Sequence, residues 1–448
     1  MSCCYSDFVK SKSTVKKRTG FKTSFSDSHL FDWQKEIVDF CAHNAGGAIF
    51  ADCGLGKTIM QLEFAKNAIS NGGSALVITP LAVAEQTILQ GVDFGIEATR
   101  SKDGNFKKGI TVTNYERLGY FNPSDFKCVV LDESSILKNY AGKVRKAITD
   151  FMQGVEYRLL CTATAAPNDY VEFGTSCEAL GIMKRVEMLA TYFTHDSGET
   201  QKWALKGHAE KLFWEWMSTW ARAIRKPSDL GYIDDGFILP EFKVNHIQIE
   251  SMPSADKLFA VQAVGLNEQR KEKRESLERR CAIAAEKAND HDRPFISWCG
   301  LNDESALLTK LINGAVEIAG CHSDDYKEHA MMDFSKGNIR AIVTKPSIAG
   351  FGMNWQHCSD MSYFPTHSYE QFYQATRRCW RFGQKNEVNC NLIYTESERA
   401  IVDNLLRKDN NANAMYDSII SNMKDYQVTS KSSNLYKPKM DMEAPKWL

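Results

Sequence analysis

The sequence predicts an α/β protein made of two parallel sheets with helices on both faces. Three observations lead there. An apolar run, Gly47-Ala48-Ile49-Phe50, feeds a glycine-rich loop and then a helix; apolar strand segments alternate with helical stretches as far as Thr164; and the same alternation restarts at Pro294. Strands separated by helical crossovers pair in parallel, because only antiparallel neighbours can be joined by tight turns.

Taken in order, residues 1–24 are polar and basic (Lys10, Lys12, Lys16, Lys17, Arg18, Lys22), which predicts a flexible arm. Asp32 to His43 is an amphipathic helix. Ser74 to Pro80 is a strand ending in a Thr-Pro turn, followed by a helix from Leu81 to Leu89. Gly109 to Tyr115, Cys128 to Leu131 and Tyr157 to Thr164 are further strands. Beyond Asn168 the pattern reads as long helices rich in aromatics. Phe213, Trp216 and Trp220 share one face at helical spacing, which marks core packing above a base-stacking platform. Pro227 to Pro240 is a turn-rich connection and Phe242 to Ile249 alternates like a strand. Arg270 to Arg280 mixes both charge signs, as a solvated helix does. The second unit has strands at Pro294–Cys299, Ala315–Ala319 and Ile339–Thr344, with helices at Asp303–Ile312 and Ser323–Phe334 between them.

Chemistry concentrates at two strand ends. Ala51-Asp52-Cys53-Gly54-Leu55-Gly56-Lys57-Thr58 departs from the phosphate-loop pattern G-x-x-x-x-G-K-[ST] only at Ala51. In such a loop Gly54 and Gly56 allow close main-chain approach, Lys57 neutralises the β/γ oxygens of ATP, and the Thr58 hydroxyl holds Mg²⁺. About eighty residues on, Asp132-Glu133 ends a buried strand. Asp132 can hold Mg²⁺ through water, and Glu133 can orient the attacking water.

Composition excludes several classes. The 448 residues, 43% hydrophobic, correspond to about three domains with sizeable cores. A net charge of −1 gives no global basic signature, so any nucleic-acid contact must come from a local cleft or patch. Thirteen cysteines include no C-x-x-C pair, which speaks against a zinc ribbon or a disulfide framework; Cys3-Cys4 and Cys321-His322 are the nearest to a ligand cluster. No apolar run of about 18 residues and no secretory core is present, so no membrane partner and a cytoplasmic location are expected. Oligomeric state and protein partners are not legible, with a monomer as the working expectation.

The phosphate loop, Leu131-Asp132-Glu133-Ser134-Ser135, and above all Gln374-Ala375-Thr376-Arg377-Arg378-Cys379-Trp380-Arg381-Phe382-Gly383-Gln384 resemble superfamily 2 helicases. The last stretch resembles the Swi/Snf-like branch, with its motif VI pattern Q-A-x-x-R-x-x-R-x-G-Q, and the compact length is similar to phage or prophage DEAD/DEAH-type helicases. Residues 28–400 can be laid over the family in the same motif order. The resemblance implies two RecA-like lobes with a helical insertion after motif III in the first lobe. The expected division is an arm at 1–24, a first lobe at 25–260 with its insertion at 177–221, a charged connection at 261–290, a second lobe at 291–425 and a tail at 426–448.

Residue by residue, the resemblance makes Gln34 the adenine reader. It assigns Thr79-Pro80 and Thr113-Asn114-Tyr115 to the nucleic-acid backbone. Thr162-Ala163-Thr164 resembles motif III. Thr344-Lys345-Pro346-Ser347 and Gly350 to Asn354 resemble motif V, with Thr344 and Ser347 toward nucleic acid, Gly352 allowing close approach and Asn354 bonding across the cleft. Arg378 and Arg381 match the arginine fingers of motif VI. Two departures stand out: motif II has Ser135 as its fourth residue, and motif III has Ala163 and Ala165 where remodellers carry Gly and Pro. The function implied is a DNA-dependent ATPase translocating on duplex or branched DNA in phage replication, recombination or repair. The alternatives are a strand-separating DNA or RNA helicase and an ATP-gated DNA-binding protein with little turnover.

Overall fold

The computed structural model describes residues 19–138, 142–166, 169–195, 203–250, 276–350 and 353–429. Most of the basic arm, the start of the Arg270–Arg280 stretch, Gly352 and almost all of the C-terminal tail therefore lie outside the described residues.

Six strands open the first lobe: β1 (Gly46–Ala51), β2 (Ala75–Thr79), β3 (Ala98–Arg100), β4 (Ile110–Asn114), β5 (Cys128–Leu131) and β6 (Tyr157–Thr162). A short antiparallel hairpin, β7 (Phe193–His195) with β8 (Trp203–Leu205), stands apart, and β9 (Ala221–Ile224) returns to the sheet. The seven-stranded sheet runs β3-β4-β2-β5-β6-β1-β9, every pair parallel. β1, β2, β5 and β6 are buried almost along their whole length because helices cover both faces, which removes the in/out alternation of a half-exposed strand. This order puts β6 between β1 and β5, so the phosphate loop and Asp132-Glu133 leave the same sheet edge with Thr162 between them.

The second lobe holds β10 (Phe242–Ile249), β11 (Phe295–Trp298), β12 (Ala315–Ile318), β13 (Ala341–Thr344), β14 (Asp360–Tyr363) and β15 (Val388–Thr395) in the order β10-β15-β14-β11-β13-β12, again all parallel. The α/β architecture of two parallel sheets is as the sequence predicts. The boundary near 260 is not: β10 pairs with β15 over its eight residues, so the second lobe starts at 242. As an edge strand β10 keeps one side toward solvent, which is why it alternates while its inner neighbours do not.

Three other expectations change. The stretch after Asn168 is made of short helices, Phe173–Leu180, Arg185–Tyr192 and Glu210–Ser218, the first ended by Gly181 in the left-handed conformation. Within it Phe213, Trp216 and Trp220 are core residues as the spacing predicts, with Phe213 ringed by Phe173, Tyr192, Phe193 and Trp216. The end of the N-terminal arm is docked: Phe21 packs edge-on against Phe64 and Tyr157, and Ser24 N–H donates to Asn67 Oδ1 at 2.7 Å. Arg280 is fully buried in the helix Leu277–Asn289 and paired with Glu304 at 2.8 Å, not solvated.

The final helix, Arg399–Thr429, does not stay with the second lobe. Val402 packs into the second-lobe core, whereas Met415, Tyr416, Ile419, Ile420 and Met423 fill the first-lobe core beside Phe213 and Ala223. The helix thus bolts the lobes together, and the last residues of the expected second-lobe range 291–425, from Met415 on, pack with the first lobe. Ile419 is 1% exposed, so Ile419→Ala is expected to cost about 2–5 kcal/mol, read as a lowered urea midpoint with unchanged slope.

Candidate functional site

The C-terminal edges of β1 and β5 face the second lobe across a cavity of about 270 Å³. Its lining joins Gln34, Gly54, Gly56, Lys57, Thr58, Asp132 and Glu133 from the first lobe to Asn354, Arg378 and Arg381 from the second. Nearly all the residues expected to handle the nucleotide therefore meet at one place. A larger open groove of about 560 Å³ lies in the second lobe beside Asn245, His291, Arg293 and Asp360, and none of the phosphate-loop residues lines it.

The loop geometry follows from its glycines. Gly54 and Gly56 have φ of 88° and 73°, left-handed values that side chains disfavour, and Gly56 sits at the N-terminal cap of the helix Lys57–Ala68. A Cβ on Gly56 would lie 2.5 Å from Gln34 Nε2, and one on Gly54 would lie 2.6 Å from Phe382 N. The second-lobe main chain is thus seated directly on the loop. Lys57 Nζ donates to the Ala51 and Asp52 carbonyls at 2.9 and 3.2 Å, curled back over the loop where an anion would draw it out.

Asp132 and Glu133 share a buried end of β5. Gln61 Nε2 donates to Asp132 Oδ1 at 2.6 Å, and Glu133 Oε2 accepts from Thr162 Oγ1 at 3.4 Å. Burial raises the Asp132 carboxyl above its usual range, while burial and the adjoining Asp132 push Glu133 up to about 7. Glu133 has φ of 48°, strained for a residue with a Cβ, and the Tyr115 hydroxyl braces the turn by donating to the Asp132 and Glu133 carbonyls.

Across the cleft, Arg378 is held by the Gln374 and Met353 carbonyls at 3.0 and 3.2 Å. Burial and the nearby Arg378 bring Arg381 down to about 10. Its Nε, together with Asn354 Oδ1 and Gln61 Oε1, is buried without a hydrogen-bond partner among the described residues. The unpaired Arg381 donor and the Lys57 ammonium on the same cavity fit an anion, and Asp132, Thr58 and a free amide oxygen fit a hydrated divalent cation. The Phe31, Phe237 and Phe382 rings line the far end, Phe237 stacked on Phe382 at 4.7 Å.

Several assignments come out differently. Gln34 also supports the loop: Oε1 accepts Phe31 N–H at 2.9 Å and Nε2 donates to Leu55 O at 3.0 Å, which leaves the amide one N–H and one lone pair on the cavity it lines. The Thr79, Thr113 and Thr344 hydroxyls are buried and donate to the Pro80, Ser101 and Ile318 carbonyls. Asn114 donates to Glu116. Only Ser347 in this set is exposed, with Pro80 partly so. Ser135 stays within the first lobe, and the bridge to the second is carried by Lys138 and Thr164, which meet Glu370 at 3.4 and 3.3 Å. Gln61, Lys138 and Glu370 join the site without a motif that marks them in the sequence, and Tyr115, whose motif resembles a nucleic-acid contact, braces the Asp132-Glu133 turn.

No protein-family model matches the chain, and no curated protein matches it. Among solved structures, S. cerevisiae Dbp5 bound to RNA and ADP BeF3 is similar in fold, with a TM-score of 0.56 at 11% sequence identity, covering 89% of this chain and 100% of that one. The likeness is one of fold: two α/β lobes, each built on a parallel sheet. No helix among the described residues is long and apolar enough to cross a membrane.

Proposed function

We propose that this protein is a nucleic-acid-stimulated ATPase that translocates on duplex or branched DNA. The observation that carries the reading is the convergence of Lys57, Glu133, Arg378 and Arg381 on one interlobe cavity beside the phosphate loop. Lys57 and the loop main chain would hold the β/γ phosphates, and Glu133 would orient a water and take its proton. Arg381 and Arg378 would offset the charge that develops on the transferred phosphoryl group. Mg²⁺, when bound through Thr58 and water-bridged Asp132, would supply charge neutralisation of the phosphate oxygens. The base would rest against Phe31, Phe237 and Phe382.

DNA as the track follows from the motif VI resemblance alone. Action on RNA is the second reading, favoured by the RNA in the similar Dbp5 complex. Triplex displacement against unwinding of forked DNA and RNA substrates tests the choice. Displacement of the third strand without fork opening supports the translocase, and efficient opening of either fork contradicts it.

The Glu133 carboxyl makes a pH prediction. Only its ionised form accepts a proton, so kcat/KM for ATP should rise with pH through about 7 and level off above it. A profile flat across that range would assign the base role elsewhere.

A further inference from the structure

The lobes meet at the phosphate loop through a residue that neither the loop pattern nor the arginine pattern requires. Asp52 Oδ1 accepts the Cys53 N–H at 2.6 Å, fixing the entry to the loop. The same carboxylate is gripped from the second lobe: Arg377 Nη2 lies 2.9 Å from Oδ2, and the Tyr373 hydroxyl donates to Oδ1. Asp52 and Arg377 side chains are each only 11% exposed. The Arg377 guanidinium is itself held over the Trp380 ring at 4.0 Å and the Tyr373 ring at 5.1 Å. Arg377 directly precedes Arg378, and Phe382, whose main chain presses on Gly54, directly follows Arg381.

We propose that Asp52, Arg377 and Tyr373 form an interlobe latch that sets the phosphate loop in register with Arg378 and Arg381 as the lobes close. The kinetic part of this inference rests on the ATPase reading; the structural part does not. One carboxylate ties the loop turn and the second lobe together, so opening the cleft strips it of two partners and leaves it held by the Cys53 N–H alone. Charge-assisted bonds of this kind are short and directional, which suits a two-state contact. Asp52, Arg377 and Tyr373 are positioning residues: they reach Arg378, Arg381 and the loop, not the phosphates.

The test combines turnover, nucleotide affinity and lobe closure in Asp52→Asn, Arg377→Gln, Arg377→Lys, Tyr373→Phe and the Asp52→Asn/Arg377→Gln double variant. Closure is read by energy transfer between dyes on exposed sites of the two lobes, and folding by thermal melts. In the latch, Arg377→Gln and Asp52→Asn each lower kcat about 10²-fold, as a small misplacement of reacting groups does, with Kd for fluorescent ATP held within about threefold. The double variant is no slower than the slower single, Arg377→Lys recovers part of kcat, and the closed population falls in Arg377→Gln. Tyr373→Phe, lacking one oxygen, shows a smaller loss in the same direction and decides the matter if Arg377→Gln does not fold. Unchanged closure and turnover in the folded variants, or losses that simply add in the double variant, would overturn the latch. If the unaltered chain turns over no ATP with any polymer, the ATPase reading fails, and the closure measurement still decides the latch by itself.

Discussion

Arg381→Ala is expected to lower kcat for ATP hydrolysis by about 10³–10⁵-fold while leaving nucleotide affinity nearly unchanged. The expectation is built from three features of the side chain. It arrives from the second lobe, so it reaches the first-lobe loop only across the closed cleft. Burial and the neighbouring Arg378 disfavour its charge, so an added anion is welcome there. Its Nε is buried with no partner among the described residues, so a donor is already in place. Arg378→Ala would be a less clean experiment, because Arg378 also ties the Gln374 and Met353 carbonyls together and its loss disturbs the local fold. Single-turnover rates with Arg381→Ala, at saturating ATP, separate the chemical step from binding. A loss confined to KM would remove Arg381 from transition-state stabilisation.

Glu133→Gln keeps the volume and removes the base, and should reduce turnover by about 10²–10⁴-fold. The side chain is well prepared for the role. Burial and Asp132 raise its carboxyl to about 7, near the range where a base is both ionised and able to hold a proton. Its left-handed backbone, braced by the Tyr115 hydroxyl, aims it at the cavity at a cost in local strain. Fluorescent ATP should bind the variant as it binds the parent, and the acid limb in kcat/KM should vanish. A chain that merely uses ATP to gate its hold on DNA would lose nothing measurable on this substitution.

What the sequence made legible was local. The phosphate loop, Asp132-Glu133 and the two arginines each need fixed neighbours at fixed spacing, and they meet around one cavity because parallel sheets place strand ends together. Contacts between lobes were not legible. Asp52 and Arg377, or Thr164 and Glu370, are joined by the docking of the two sheets, which no local pattern encodes. Short strands were also lost: β9, Ala-Arg-Ala-Ile, is four residues long and follows a Trp-rich helix with no Gly or Pro between them. Side-chain type misled where competition from the backbone was ignored. Thr79, Thr113 and Thr344 have hydroxyls suited to phosphates, yet their burial at strand ends commits those groups to carbonyls. The final helix is a related case, since its apolar residues fit a core but do not say whose.

The central claim is that the interlobe cavity hydrolyses ATP under the control of a nucleic acid. Its most direct test is steady-state ATP hydrolysis by the purified chain at fixed salt, without polymer and with duplex DNA, single-stranded DNA or duplex RNA, with Lys57→Ala as the blank. The account predicts turnover that duplex DNA stimulates strongly and that Lys57→Ala abolishes; no turnover above that blank with any polymer would contradict it.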